Sequence, residues 1–358
     1  MRRALVLASA LVVTCSAAFS AQSKTLDIYW IDVEGGAATL VVTPSGESML
    51  VDTGYETDGR DAKRILSAAQ QAGLKQLDHV VISHYHGDHV GGLAALSKMI
   101  PIGRVYSRGD TISVPADQKW YDSMRSVSAG KRTIVGPGDR IPLTGVDAVV
   151  VSSDHQMLAK PVNGGGPNAL CATAEQKAPA GFENQAGVGV LLTYNRFTFL
   201  DLIDMDWATE MELVCPVNKV GAVTLFQSNR HGAWNGAGAP AFLNAIRPQV
   251  LVFNNGPRKG LGQVQEAKTT TPPGVNVAPY EQNHFLRAAA IPGIEGIWQG
   301  HLSLFDKDPK HNTSPDMIAN VEETAECQGH FIKASVESNG QFTVTNGRNG
   351  FSRTYKAR

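Results

Sequence analysis

Ser83-His84-Tyr85-His86-Gly87-Asp88-His89-Val90-Gly91-Gly92, reached at the end of the run Leu77-Asp78-His79-Val80-Val81-Ile82, is the stretch on which the reading of this chain turns. The apolar run reads as a buried strand, and four potential metal ligands follow it within six residues, His84, His86, Asp88 and His89. At the strand period of two, His84 and His86 project to one side, and Gly87 frees the backbone to turn so that Asp88 and His89 face a second position. One short segment can thus serve two cations. Neutral imidazoles with a carboxylate suit Zn2+ and also Fe2+ or Mn2+, with open positions left for water. The alternative is a histidine-rich polar turn. Such a turn has no structural use for three His and one Asp at the mouth of an apolar strand.

Upstream, residues 26–33 (LDIYWIDV), 38–43 (ATLVVT) and 48–54 (SMLVDTG) read as strands, and residues 60–73 carry Ile65, Leu66 and Ala69 at helical spacing before Gly73 stops them. The opening is therefore β-β-β-α-β. Downstream the spacing predicts a helix from Val90 to Met99 stopped by Pro101, then strands at 104–107, 132–135 and 147–153, and a Gly/Pro/Asn-rich loop over 160–181. A hairpin turning at Asn195-Arg196 follows, then strands at 222–228 and 248–255 around the helical 241–246. Residues 256–280 lack periodicity and are expected to lie over a site, before a short helix at 284–290 and a strand within 294–305. Asn339-Gly340, Asn346-Gly347 and Asn349-Gly350 then divide a small C-terminal β-meander.

The composition sets outer limits. With 358 residues, 42% hydrophobic, 18% charged and 36 Gly, the chain is a turn-rich globular protein, and its net charge of -1 leaves no broad basic face for nucleic acid or anionic membrane. Arg2 and Arg3 precede an apolar run from Ala4 to Val13 and small residues to Ala18, which reads as a signal peptide cleaved after Ser20 and taking the charge from -1 to -3. The mature form is then periplasmic or secreted, without a membrane span; an uncleaved anchor or a lipidated Cys15 are the lesser alternatives. Export permits one bridge among Cys171, Cys215 and Cys327: Cys171 with Cys215 is plausible, and three free thiols fit as well. The expected organisation is a leader at 1–20, a main domain at 21–305 and a C-terminal β extension at 306–358 packed on it.

His84-x-His86-x-Asp88-His89 matches in full the signature of the metallo-β-lactamase superfamily, which this chain resembles over roughly residues 25–256. The opening strands and Asp52 in the Asp-Thr-Gly turn look like the branch containing the hydrolase domain of ComEC-type competence proteins and the phosphorylcholine esterases. The resemblance implies an α/β fold, a four-layer αββα sandwich, and two divalent ions between the upper sheet edges. It aligns Asp204 with the metal-bridging aspartate, although Ile203 stands where the family has Gly, so Asp201 is a reserve. It gives His231 as a ligand, while Arg230 replaces a family His and, being unable to ligate a cation, is expected to meet an anionic substrate group. His155 would complete the position of His84 and His86, or sit in an exposed loop; Asn184 would orient a substrate oxygen or cap a turn. Asp52 is expected to hold the histidine loop by hydrogen bonds. His284 and His301 have no spacing tying them to the metals.

The function so implied is an exported metallo-hydrolase. Paired cations lower the pKa of bound water toward ~7, and Asp88 can relay the proton while ligating. Phosphodiester or phosphate ester substrates lead; lactone, β-lactam or other ester and amide hydrolysis uses the same chemistry, and a periplasmic metal-binding protein without turnover is the third class.

Overall fold

The computed structural model describes residues 25–112, 114–265, 267–306, 308–323 and 327–358; the expected leader and Cys15 lie outside these residues. The first sheet contains β1 (Leu26–Trp30), β2 (Thr39–Val42), β3 (Ser48–Val51), β4 (Leu77–Ile82), β5 (Ile102–Ser107) and β6 (Arg132–Ile134). The second contains β7 (Arg140–Leu143), β8 (Val146–Ser153), β9 (Gln156–Met157), β10 (Gly189–Tyr194), β11 (Phe197–Asp201), β12 (Leu225–Gln227), β13 (Val250–Phe253), β14 (Gly296–His301) and β15 (Ile318–Asn320). The chain then returns to the first sheet as β16 (Ile332–Val336), β17 (Gln341–Asn346) and β18 (Ser352–Lys356), giving the order β18-β17-β16-β1-β2-β3-β4-β5-β6.

Strand alternation sorts the side chains into layers. Ile28 and Trp30 of β1, Val81 of β4, and Val250 and Val252 of β13 fill the space between the sheets. Their neighbours Tyr29, Val80 and Ile82 instead meet α1 (Arg60–Gln71), α3 (Leu93–Leu96) and α4 (Gln118–Val127) through Ile65, Leu93 and Met124. Leu251 and Phe253 meet α6 (Trp207–Val214), α7 (Pro240–Ile246) and α8 (His284–Ala289) through Met211, Phe242 and Phe285. The layers are therefore α, β, β, α. Trp30 and Phe199 lock the sheets together edge to face, centroids 5.5 Å apart, adding ~0.5–1.5 kcal/mol beyond their buried area.

The strand pairs β3–β4 and β11–β12–β13 are parallel, so the loops after each strand emerge at the same end of its sheet. That end carries the site. The expected helix from Val90 to Met99 is broken into α2 (Gly87–Val90) and α3, because Gly91 and Gly92 press against the 53–56 backbone; a Cβ at Gly92 would stand 2.1 Å from the Thr53 carbonyl oxygen. The 306–358 segment divides between the sheets: β15 joins β14, and β16 pairs antiparallel with β1 from Leu26↔Val336 to Trp30↔Ile332. Cys171 and Cys215 form a disulfide, Cα atoms 5.8 Å apart, which ties the 160–181 loop to the end of α6, while Cys327 is free. The same loop is bound to the 256–280 segment by Ala178 N–H to Lys268 O and Thr270 N–H to Gln176 O. Among the described residues no helix is long and apolar enough to cross a membrane.

Candidate metal centre

β4 delivers the histidine loop and β3 delivers Asp52, which is fully buried at φ +60°. Its carboxylate accepts from the Ser83 N–H at 2.8 Å, the Ser83 hydroxyl at 2.6 Å and His89 Nδ1 at 2.7 Å, gripping both ends of the loop. The single Ser83 hydroxyl proton goes to Asp52, so His84 Nδ1, 2.9 Å from Ser83 Oγ, is the donor there and Nε2 keeps its lone pair. His84 Nε2 in turn lies 2.9 Å from His86 Nδ1. Burial pushes the His84 pKa well below the ordinary imidazole value, leaving the ring neutral.

The second sheet supplies the other half. Asp201 ends β11, and its Oδ1 accepts from the Ile203 N–H at 3.1 Å and from Gln227 Nε2 at 2.9 Å, while Gln227 Oε1 accepts from Thr39 Oγ1 on β2. Asp201 thus shapes the loop that presents Asp204. Burial pushes its carboxyl up to about 8. Ile203 takes φ +54°, the left-handed conformation that a Gly adopts freely and a β-branched residue adopts under strain. Arg230 and His231 are also left-handed, at φ +49° and +55°, in the turn after β12, with the Arg230 N–H donating to the Ile203 carbonyl.

Asp88, His89, Asp204 and His231, all buried, bring one ligand atom each to within 4.8 Å of one another. His231 Nε2 is 3.1 Å from Asp204 Oδ1 and 3.7 Å from Asp88 Oδ2; His89 Nε2 is 3.3 Å from Asp88 Oδ2 and 3.6 Å from Asp204 Oδ2. Burial raises the Asp204 carboxyl, but His231 and His89 outweigh it and hold the group well below the usual range; His89 does the same for Asp88. Burial lowers the His89 pKa, and Asp88, Asp204 and Asp52 override it and raise it well above the ordinary value, so a cation bound at Nε2 would take the place of that proton. Yet His89 Nε2, Asp204 Oδ1 and His231 Nε2 are buried without hydrogen-bond partners. Carboxylates held ionised beside unpartnered imidazole nitrogens are the donor set a divalent cation requires. The residues present fit such an ion.

His155 is not brought to this group. Asp154 and His155 form the two-residue turn between β8 and β9, both at positive φ, which leaves His155 exposed with its ring 4.2 Å from Phe182. His284 and His301 are buried elsewhere, His301 Nε2 on Asp32 Oδ1 at 2.7 Å. A cavity of about 350 Å³ opens onto Asp88, Asp204 and His231, and Asn184 and Arg230 line it; Arg230 Nε and Nη1 are buried without partners.

Sequence reasoning missed three residues around this cavity. Lys259, after β13, donates to Asp88 Oδ2 and to the Tyr55 hydroxyl at 3.0 Å; burial lowers its pKa, but Asp88 outweighs that and keeps the ammonium charged. Glu183, in α5 (Phe182–Gln185), accepts from the Tyr85 N–H at 3.0 Å, between His84 and His86, and is ion-paired to Arg108. Arg108 is fully buried with its guanidinium 4.2 Å from the Tyr85 ring centroid. A lysine in a segment without periodicity carries no signal, and the glutamate and arginine are distant in sequence.

Residues 31–171 match the family model of the metallo-beta-lactamase superfamily. The matched stretch begins just after β1 and takes in β2, β3, β4 and the whole histidine loop. Curated relatives include a hydroxyacylglutathione hydrolase of Xanthomonas axonopodis pv. citri, 32% identical over 92 residues, 26% of this chain and 31% of that protein. An atrochrysone carboxyl ACP thioesterase of Emericella nidulans is 32% identical over 108 residues, 29% of this chain and 33% of that protein. The chain thus spans about a third of the length of the curated relatives it matches. Among solved structures, a diphosphatase from the PhnP family is 11% identical with a TM-score of 0.36, covering 71% of this chain and 93% of that chain. The metallo-beta-lactamase fold of this chain is read from its own four layers and the family match.

Proposed function

We propose that this protein is a metal-dependent hydrolase whose substrate is a phosphodiester or phosphate ester. One observation carries the reading: Asp88, His89, Asp204 and His231 bring ligand atoms together at a cavity that Arg230 also lines, and His89 Nε2, Asp204 Oδ1, His231 Nε2 and Arg230 Nε and Nη1 are all buried without partners. Divalent ions, Zn2+ first, would supply Lewis acidity and activated water there. In this reading Asp88, His89, Asp204 and His231 hold one ion, with Asp204 shared, and His84 and His86 hold the other. Arg230 receives the anionic group, and Asn184 orients a substrate oxygen. Lys259, donating to Asp88 Oδ2, stands where it can hand a proton to a leaving oxygen. Asp52 keeps the loop in register. The Cys171–Cys215 bridge supports the proposed export of the chain after cleavage at Ser20, since such bonds persist in oxidising compartments.

The ComEC-like branch remains part of this proposal, carried by Asp52 in its turn and the opening strands. A second reading, thioester or ester hydrolysis, is favoured by the thioesterase and the hydroxyacylglutathione hydrolase among the relatives. The test is a panel of aryl phosphodiester, phosphomonoester, thioester, lactone and β-lactam on purified protein, with metal content determined in parallel. Preferred turnover of the phosphodiester is expected. Faster thioester turnover selects the second reading, and bound metal without turnover of any class selects a metal-binding protein.

A further inference from the structure

Asp117 has no evident structural employment. It stands at the N-terminal end of α4, yet its side chain makes no hydrogen bond to the helix it precedes. It is only 8% exposed, and Oδ2 is buried without any partner. Unpaired buried carboxylates are costly and are retained where they act.

Its position gives the reason. Trp120, one turn further along α4, sits on Gly87, where a Cβ would meet the indole at 2.8 Å. Residues three apart share a helix face, so Asp117 is on the side of α4 turned to the His86-Gly87 corner. Among charged neighbours His86 acts on the Asp117 carboxylate most strongly, ahead of Glu183, Arg108 and Asp88. His86 faces His84 Nε2 through its Nδ1, so a ligating His86 uses Nδ1 and its outer Nε2–H requires an acceptor. Asp52 already performs this service for His89, and Ser83 for His84. His86 is the member of the loop left without such a partner.

We propose that Asp117 is a positioning residue: its carboxylate accepts the outer N–H of His86 and fixes that ring for metal ligation. The proposal rests on the reading of His84 and His86 as ligands. It is tested with Asp117→Asn, Asp117→Ala and His86→Ala, measuring Zn2+ stoichiometry and affinity by chelator competition, and the melting temperature of the metal-free protein. Asp117→Ala is expected to weaken one equivalent of Zn2+ about a hundredfold and Asp117→Asn about tenfold. The metal-free variants should melt no lower than wild type, because an unpaired buried charge has been removed. Full Zn2+ affinity in both variants, or a loss confined to Asp117→Ala, overturns the proposal; so does a lower metal-free melting temperature with affinity intact, which marks a helix-supporting role. Retention of all metal by His86→Ala overturns the underlying ligand reading instead.

Discussion

Asp201 and Asp204 are three residues apart and both buried, yet their surroundings leave one neutral and the other charged. Asp201, pushed up to about 8 by burial, is mostly protonated at pH 7, whereas Asp204 is ionised between His231 and His89. Asp204→Asn is therefore expected to reduce both metal equivalents together, and Asp201→Asn, close in shape to the acid it replaces, to leave metal content near wild type. Elemental analysis of the two variants decides; metal loss in Asp201→Asn alone would reverse the assignment of the bridging group. For Arg230 the charge-assisted contact to a substrate anion is worth ~1.5–3 kcal/mol. Arg230→Ala should then raise KM for phosphodiesters tenfold or more by that estimate, with little change for neutral esters and none in metal content. Equal effects on charged and neutral substrates would assign Arg230 a structural part.

At the scale of elements, α6 and α7 are joined through one acid. Glu210 of α6 accepts from the Gly238 and Ala239 N–H groups at 2.8 and 2.7 Å, at the start of α7, and from Asn229 Nδ2 at 2.8 Å, beside the His231 turn. Burial raises its carboxyl from 4.5 to about 7. As pH rises the unfolded chain gives up this proton first, so the contribution is complete below pH 4.5, falls through pH 7 and is flat above it. The span is on the order of 3 kcal/mol. Glu210→Gln removes that slope: in urea unfolding of metal-free protein, the stability gap between wild type and variant should narrow from pH 5 to pH 8. A constant gap would mean that Glu210 is ionised throughout. The strands were legible because β13 is a continuous apolar run and β1 and β4 are apolar apart from Asp27, Asp78 and His79, and the four candidate ligands of the histidine loop because they fall within six residues. α6 was not, since Trp207, Glu210, Met211, Leu213 and Val214 are all buried and no polar face marks its period. α4 does carry Trp120, Tyr121, Met124 and Val127 at helical spacing after Pro115, a signal that was present and passed over. For His155 the sequence left ligand and exposed loop both open, because the Asp154-His155 turn lacks the Asn-Gly chemistry that announces a two-residue hairpin; the structure has it exposed.

At the scale of the molecule, each sheet contributes half of the candidate centre: Asp88 and His89 come from the first, Asp204 and His231 from the second, and Thr39, Gln227 and Asp201 form a hydrogen-bonded span beneath them. The end strand of the first sheet has a different consequence. β18 pairs on one side only and carries exposed Arg353 and Lys356, one on each face, whereas β17 behind it reads Gln-Phe-Thr-Val-Thr-Asn without a charge. Those two cations act as gatekeepers against strand-to-strand recruitment between molecules, and removing them leaves an uncharged template. Replacing both by Thr, which keeps the strand and the bond from Trp298 Nε1–H to the Tyr355 hydroxyl, should leave the fold intact but let the protein assemble into thioflavin-positive fibrils at concentrations where wild type stays monodisperse in light scattering. Unchanged scattering would show that the twist of the sheet, and not its charge, keeps this protein soluble.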